Sequence, residues 1–182
     1  MDRSEKRALL VSNVWMQAIA IVFLIGFLIM GMLAYRTYTD APPIPSQVVD
    51  PSGHVLFTAQ DITDGQEVFL RNGLMEYGSI FGHGAYLGPD FTADYLHRAA
   101  LIAIDHYGGP LSEAAKQQTI TDFKTNRYNP RTGVLEYSAA QVDAFETLDQ
   151  YYANFFGNPT TKFGLRPSDI TDPHEVRQLT AF

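Results

Sequence analysis

Residues 138–157 read SAAQVDAFETLDQYYANFFG, and this stretch decides the fold class. Ser138 followed by Gln141 is typical of a capping box, in which two side chains bond each other's backbone N–H groups where a helix begins. Apolar side chains then recur at helical spacing along one stripe, made of Val142, Phe145, Leu148, Tyr152 and Phe155. We therefore predict an amphipathic helix, ended before Gly157, in a mainly α domain.

Similar start signals predict the neighbouring helices. Asp90 can cap a helix that continues to Gly108, and Ser112 can cap one that continues to about Asn126. Asp64 and Glu67 form a possible capping box for a short helix that ends at Asn72.

Less regular structure is predicted between these helices and at the end of the chain. Residues 53–58 form a strand candidate, and residues 129–133 form a turn. Asp172, Pro173 and Glu175 favour the start of another helix. Because few residues follow them before Phe182, we expect this last helix to be truncated.

The N-terminal part of the chain predicts a membrane anchor. Residues 13–35 carry no formal charge and are long enough to cross a bilayer as a helix. A cleaved signal peptide is the alternative, but its apolar run is usually only about 7–15 residues. The cluster of Arg3, Lys6 and Arg7 predicts a cytoplasmic N-terminus, which places the rest of the chain outside the cytoplasm of a bacterial cell.

Composition excludes several classes of function. The chain of 182 residues has a formal net charge of −7, and phosphate backbones require clustered Lys and Arg, so we predict no nucleic-acid partner. It has no cysteine, which excludes disulfides, thiolate metal sites and the C-x-x-C-H attachment of a c-type haem.

The predicted organisation has five parts. They are a cytoplasmic N-terminus (1–12), a transmembrane helix (13–36), a proline-rich linker (37–52), an extracytoplasmic domain (53–171) and the start of a truncated next helix (172–182).

The most patterned segment runs from Gly73 to Arg98 and reads GLMEYGSIFGHGAYLGPDFTADYLHR. Its glycines permit close approach of the backbone to another surface, and its aromatic side chains supply apolar area. The glycine spacing from Gly82 to Gly88 is one residue off the dinucleotide fingerprint and lacks a βαβ context, so nucleotide binding is not predicted.

Ionisable residues in this segment have two interpretations. His83 and His97 are candidate metal or haem ligands, but isolated histidines are more often hydrogen-bonded structural groups. Glu76 and Asp94 would matter as a buried pair, although the helix dipole alone explains an acid on the first turn of a helix.

The same segment resembles the N-terminal extracytoplasmic region of the quinol-type nitric oxide reductases, respiratory membrane enzymes related to the haem-copper oxidases. The resemblance implies one anchor helix, then a cytochrome c-like domain that has lost its haem, then a catalytic helix bundle. The absence of cysteine agrees with that loss.

What the resemblance implies for function is reduction of two NO to N2O and water with electrons from quinol. The cofactors implied are a haem b and a non-haem iron, whose ligands lie downstream of this chain. No catalytic residue is therefore expected here, and the expected partners are the membrane, quinol and the catalytic bundle.

One site is carried over from the resemblance. In related two-subunit reductases a Gly-x-Gly-Ala-Tyr segment contributes a carbonyl and a tyrosine to a calcium ion that bridges haem propionates. Gly84 and Tyr86 stand at the matching positions, and calcium accepts such oxygen ligands. His83 replaces the acidic residue of that segment, so a loop that only packs over the haem face is the alternative.

Two other classes of function remain as alternatives. A free-standing, membrane-anchored binding or sensory domain would use the aromatic and glycine-rich loop as its recognition surface. An extracytoplasmic hydrolase would need an acid/base or nucleophile pair, and the sequence shows no such pair.

Overall fold

The computed structural model describes residues 12–85, 87–157 and 170–182. The chain divides between Pro43 and Ile44 into two compact units. The first contains a single described helix, and the second contains the remaining helices and all the described strands.

Helix α1 (Asn13–Thr39) forms the first unit. None of its residues is buried, and its mean hydropathy over 18 residues reaches 2.6, so it is long and apolar enough to cross a membrane. It continues three residues beyond the predicted end at residue 36. The extension is stabilised by Arg36, whose guanidinium Nε lies 2.8 Å from the carboxylate of Asp40.

The second unit is mainly helical, as predicted. Its helices are α2 (Ala59–Arg71), α3 (Phe91–His106), α4 (Glu113–Lys124), α5 (Ala139–Gly157) and α6 (Pro173–Ala181), with a 3-10 turn at Leu74–Glu76. Its strands are β1 (Gln47–Val49), β2 (Val55–Thr58), β3 (Ser79–Ile80), β4 (His83–Gly84), β5 (Tyr128–Asn129) and β6 (Val134–Glu136).

Four helix starts agree with the sequence. The Asp90 and Ser112 side chains accept the backbone N–H groups of Ala93 and Ala115, and Asp172 caps α6. At α5, Gln141 N–H donates to Ser138 Oγ and Ser138 N–H donates to the Gln141 amide oxygen, which is the predicted capping box.

The predicted start of α2 is wrong. Thr58 and Asp61 form the capping box, with the Thr58 N–H donating to the Asp61 carboxylate at 2.8 Å. Asp64 lies inside the helix, where its carboxylate accepts hydrogen bonds from Gln60 and Gln178. The helix begins earlier because Thr58, the last residue of β2, is itself an effective N-cap.

The buried stripe of α5 also differs from the prediction at both ends. Phe145, Leu148 and Tyr152 are buried as expected, whereas Phe156 is buried and Phe155 only partly so. Gly157 is itself helical and is the last residue of α5 within the described part of the chain.

A four-stranded sheet in the order β2-β1-β6-β5 lies beside the helices. Only β2 and the turn before β6 were predicted. Strand β1 pairs parallel to β6 with Val48 opposite Leu135, and Val48 is 1% exposed. Residues 47–49 thus belong to the sheet, although they lie in the segment predicted to be a linker. They do so because the Val48 side chain completes a small core with Phe57 and Phe145.

Helix α6 packs closely against α2. A Cβ atom added at Gly65 would lie 2.0 Å from the backbone oxygen of Gln178, so glycine is required at this crossing. Val176 and Thr180 are buried on the same face of α6. The last helix is therefore held by tertiary packing in spite of its shortness.

A buried carboxylate joins α4 to α5. Asp122 is 5% exposed and accepts hydrogen bonds from Tyr107 Oη at 3.1 Å, from Ser138 Oγ at 2.5 Å and from the Arg127 guanidinium. Because every partner is a donor, this carboxylate is satisfied as an anion and acts as a structural link.

Candidate functional site

The glycine-rich segment forms a hairpin of β3 and β4. Ser79 pairs with Gly84 and Ile80 pairs with His83, and the turn consists of Phe81 and Gly82. Both turn residues have positive φ, 50° and 76°, which is the backbone of a tight two-residue hairpin. Phe81 is 78% exposed, so this strained turn presents an aromatic ring to the surroundings.

Asp90 fixes the hairpin to the start of α3. Its carboxylate accepts hydrogen bonds from the Ser79 hydroxyl at 2.7 Å, from Gly82 N–H at 2.6 Å and from Ala93 N–H at 2.9 Å. The Ala93 N–H, the Ser79 hydroxyl and the Gly82 N–H hold the pKa of Asp90 below its usual range. One carboxylate thus positions both the loop and the helix.

Two glycines in this segment are required by close backbone contacts. A Cβ at Gly84 would lie 2.3 Å from the Gly78 carbonyl oxygen, and one at Gly88 would lie 1.7 Å from the Tyr77 carbonyl oxygen. The glycines therefore allow the chain to fold on itself within this loop.

The two residues predicted to bind calcium have different outcomes. Gly84 lies in β4, next to the backbone of Gly78. Tyr86 lies outside the described residues. The described residues contain no group of three or more His, Cys, Asp or Glu side chains that could hold a metal ion. Gly84 can offer an ion only its backbone carbonyl, because glycine has no side chain. The carboxylate oxygens of Asp90, which bonds to the same hairpin, already accept protein hydrogen bonds.

The candidate histidines do not come together in the structure. His83 is exposed, and its Nδ1 lies 3.0 Å from the Phe81 carbonyl oxygen, a hydrogen bond within the turn. His97 is exposed on α3.

The two candidate acids, Glu76 and Asp94, have different environments. Glu76 is exposed on the 3-10 turn. Asp94 accepts the Arg98 Nε–H at 2.9 Å and the Tyr152 hydroxyl at 3.2 Å. The Arg98 guanidinium carbon lies 3.9 Å from the centroid of the Tyr151 ring. Asp94 is therefore a link between α3 and α5 in addition to lying in the first turn of α3.

Beside the hairpin lies an apolar cavity of about 420 Å³. It is bounded by the hairpin, α2, α3, α5 and α6 and by Tyr137, which follows β6. Its lining consists of Phe69, Leu74, Ile80, Phe81, Phe91, Thr92, Tyr95, Leu96, Tyr137, Tyr152, Phe156, Leu179, Thr180, Ala181 and Phe182.

The lining of this cavity does not contain the residues that hold haem iron. Its described residues include no histidine, methionine, lysine or cysteine, whereas haem iron in cytochromes c takes His and Met ligands. The residues present do not fit a c-type haem.

The hydroxyls of two tyrosines that line the cavity have no hydrogen-bond partner within the described part of the chain. Tyr95 and Tyr137 are partly buried, and burial raises the pKa of both phenols above the usual value. The Tyr137 phenol raises the pKa of Tyr95 further. Tyrosine hydroxyls inside proteins normally find a hydrogen-bond partner, so two such phenols in one cavity are an unusual feature.

In the sequence Tyr95 stands at helical spacing from Phe91, Ala99 and Ile102, which is typical of an apolar helix face, and no local pattern marks Tyr137. A signal was present in the residue type, because buried tyrosines normally find a hydrogen-bond partner. Their convergence depends on contacts between distant segments and required the structure.

A family model for the NorB cytochrome c-like domain of nitric oxide reductase matches residues 45–182. No curated protein matches the chain.

Proposed function

The chain belongs to the NorB cytochrome c-like domain family of nitric oxide reductase, and on that premise we propose that it is the N-terminal part of a quinol-dependent nitric oxide reductase. In the proposed reaction two NO and one quinol give N2O, water and one quinone. The haem b and the non-haem iron that supply this chemistry are bound outside the chain. The role of the chain is to anchor and cap the catalytic bundle.

The observation that supports quinol dependence is that the domain lacks the residues that attach and ligate a c-type haem. A cytochrome c-like domain that relays electrons needs covalent attachment through cysteine and axial ligands to iron. This chain has no cysteine, and the described residues that line its apolar cavity include no axial ligand. A haem-free domain cannot pass electrons from cytochrome c, which favours a membrane-soluble donor.

The proposed topology rests on α1 and on the residues before it. The apolar helix Asn13–Thr39 follows Arg3, Lys6 and Arg7, and such a cluster favours the cytoplasmic side of a membrane. We place the N-terminus in the cytoplasm and residues 44–182 on the outer side of a bacterial cell membrane.

Exposed apolar side chains support a capping role. Phe81 and Leu87 of the glycine-rich segment are 78% and 71% exposed, and Leu96 on the first half of α3 is 54% exposed. Apolar side chains clustered beside a rigid hairpin are typical of an interaction surface. In the proposed enzyme this surface faces the catalytic bundle.

Calcium binding by Gly84 and Tyr86 stays a proposal. It requires ligands beyond those of the described residues, because Gly84 supplies a single carbonyl and Asp90 is occupied by protein donors. When bound, calcium would supply a positive charge against anionic groups of the bundle.

The proposal is tested on the native gene product purified from its own membranes. We expect an intact mass several times that of the 182-residue chain and only b-type haem. We also expect NO consumption with quinol analogues as the electron donor. NO consumption supported only by reduced cytochrome c, or a covalently bound haem, would overturn quinol dependence. A mass near that of the chain without NO consumption would favour the anchored binding domain.

A further inference from the structure

The apolar cavity lies between two separate core clusters. Tyr95 packs against the larger cluster, which contains Phe69 and Leu148, whereas Tyr137 packs against the smaller one, which contains Val48 and Phe57. Both tyrosines line the same space. Ligand sites are commonly concave, mostly apolar and about 300–1,000 Å³, with a few convergent polar groups, and this cavity has each of those properties.

The cavity is accessible from one side. Phe81 at the tip of the hairpin, Leu96 on α3 and Phe182 after α6 are lining residues that are at least 40% exposed. Other lining side chains are buried, among them Leu74 and Phe156. Within the 182-residue chain the cavity is therefore most exposed beside the tip of the hairpin and the end of α6.

The tyrosine hydroxyls differ in a way that indicates an absent partner. Tyr152 also lines the cavity, but its hydroxyl donates to Asp94 at 3.2 Å. The hydroxyls of Tyr95 and Tyr137 have no such acceptor among the described residues, although both phenols line the same cavity. Phenylalanine would fill the same space without an unsatisfied group, so the two hydroxyls are better explained by a ligand oxygen.

We propose that the cavity binds a small, flat, uncharged molecule carrying a carbonyl or hydroxyl oxygen, with Tyr95 and Tyr137 as the hydrogen-bonding pair. A tyrosine hydroxyl donates to a carbonyl and accepts from a hydroxyl, so both oxygen types fit. The walls provide aromatic rings from Phe69, Phe91 and Phe156 and no charged side chain, which excludes a charged ligand. The proposal is independent of the nitric oxide reductase function.

The experiment uses the 182-residue chain in lipid nanodiscs, because residues 44–182 form a compact unit with its own core. Empty nanodiscs correct for partitioning. The probes are 2,3-dimethyl-1,4-naphthoquinone, 1-naphthol and 2,3-dimethylnaphthalene. Incorporation of 3-fluorotyrosine permits titration by fluorine NMR, and Tyr-to-Phe variants assign the signals. The absence of cysteine removes the common side reaction of quinones with thiols.

We expect the Tyr95 and Tyr137 signals to shift on titration and at least one oxygen-bearing probe to bind about tenfold more tightly than the hydrocarbon. The double variant Tyr95→Phe/Tyr137→Phe should abolish that difference. Tyr128→Phe, which alters a tyrosine of β5 outside the cavity, should preserve it.

The probe that binds most tightly identifies the type of oxygen that the ligand carries. Tighter binding of the quinone indicates a carbonyl ligand, and tighter binding of naphthol indicates a phenolic one. Equal affinity for all three probes, binding that survives in the double variant with its tenfold preference, or no binding by any probe would overturn the proposal. Retained helical circular dichroism in each variant shows that the fold is intact.

Discussion

The hydroxyl of Tyr152 on α5 donates a hydrogen bond of 3.2 Å to Asp94 on α3, and Arg98 holds the same carboxylate one turn further along. Tyr95, on the same helix as Asp94, lines the same cavity without such a bond. Two tyrosines of one cavity thus have opposite hydrogen-bonding states.

This contrast predicts opposite effects of removing the two hydroxyls. Tyr152→Phe should lower the free energy of unfolding by about 1.5–3 kcal/mol, because a hydrogen bond to a carboxylate is lost. Tyr95→Phe should leave the free energy unchanged or raise it, because the hydroxyl it removes has no protein partner. Urea unfolding followed by circular dichroism measures both, and equal destabilisation by the two variants would contradict the assignment.

The crossing of α2 and α6 predicts intolerance at Gly65. Gly65→Ala places a methyl group 2.0 Å from the Gln178 oxygen and should cost about 1–3 kcal/mol or separate α6 from α2. Gly157→Ala is the matched control, since a Cβ there meets no atom within 4 Å and alanine favours the helix by about 0.5–1 kcal/mol. Thermal unfolding of both variants compares them, and similar melting temperatures would argue against the close crossing.

Asp90 predicts a specific acid sensitivity. Its pKa is lowered in the folded state from the ordinary value of 3.8, so the unfolded chain binds its proton first as pH falls. The stability that it contributes is therefore complete above pH 3.8 and is lost as pH falls through the lower folded pKa. Asp90→Asn keeps a capping side chain but should flatten the pH dependence of the free energy of unfolding below that pH.

Asp105→Asn serves as the control for Asp90→Asn. Asp105 is exposed in the last turn of α3, and its substitution removes the same formal charge. We expect the acid limb of the stability profile to keep its slope in this variant. A flattened limb in both variants would assign the effect to net charge.

The proposed calcium site predicts a chelator effect on the protein purified from membranes. Calcium at about 100 times its Kd stabilises a folded protein by about 2.7 kcal/mol, so EGTA should lower the melting temperature by several degrees. Tyr86→Phe should remove the sensitivity to EGTA, whereas Tyr38→Phe, in the exposed end of α1, should retain it. An EGTA effect of equal size in the Tyr86 variant would exclude this tyrosine as a ligand.

The sequence was sufficient for features determined by local chemistry. The caps at Asp90, Ser112, Ser138 and Asp172 depend on residues within one helical turn, and each was predicted. The start of α2 was misplaced because two possible capping boxes follow each other, and the pairing of Thr58 with Gln47 of β1, which fixes Thr58 as the end of β2, is not visible in the sequence.

Features that depend on distant segments were not predictable from one sequence. Strand β1 is three residues long, and its partner β6 lies far along the chain. The presence of Tyr95 and Tyr137 in one cavity likewise follows from the joining of two core clusters. The long apolar helix and the family resemblance were predictable because each is continuous in the sequence, and the family match confirms the latter.

The parallel pairing of β1 with β6 has a consequence for the order in which the domain is made. Gln47 pairs with Val134, so the strand closest to α1 gains this neighbour only after most of the domain has been synthesised. Contacts between residues so far apart in the sequence slow folding, because the chain loses the entropy of loop closure before these contacts stabilise it. A nascent chain that stops before Val134 therefore leaves one edge of β1 open, and we expect protease protection of residues 47–49 to arise late in biosynthesis.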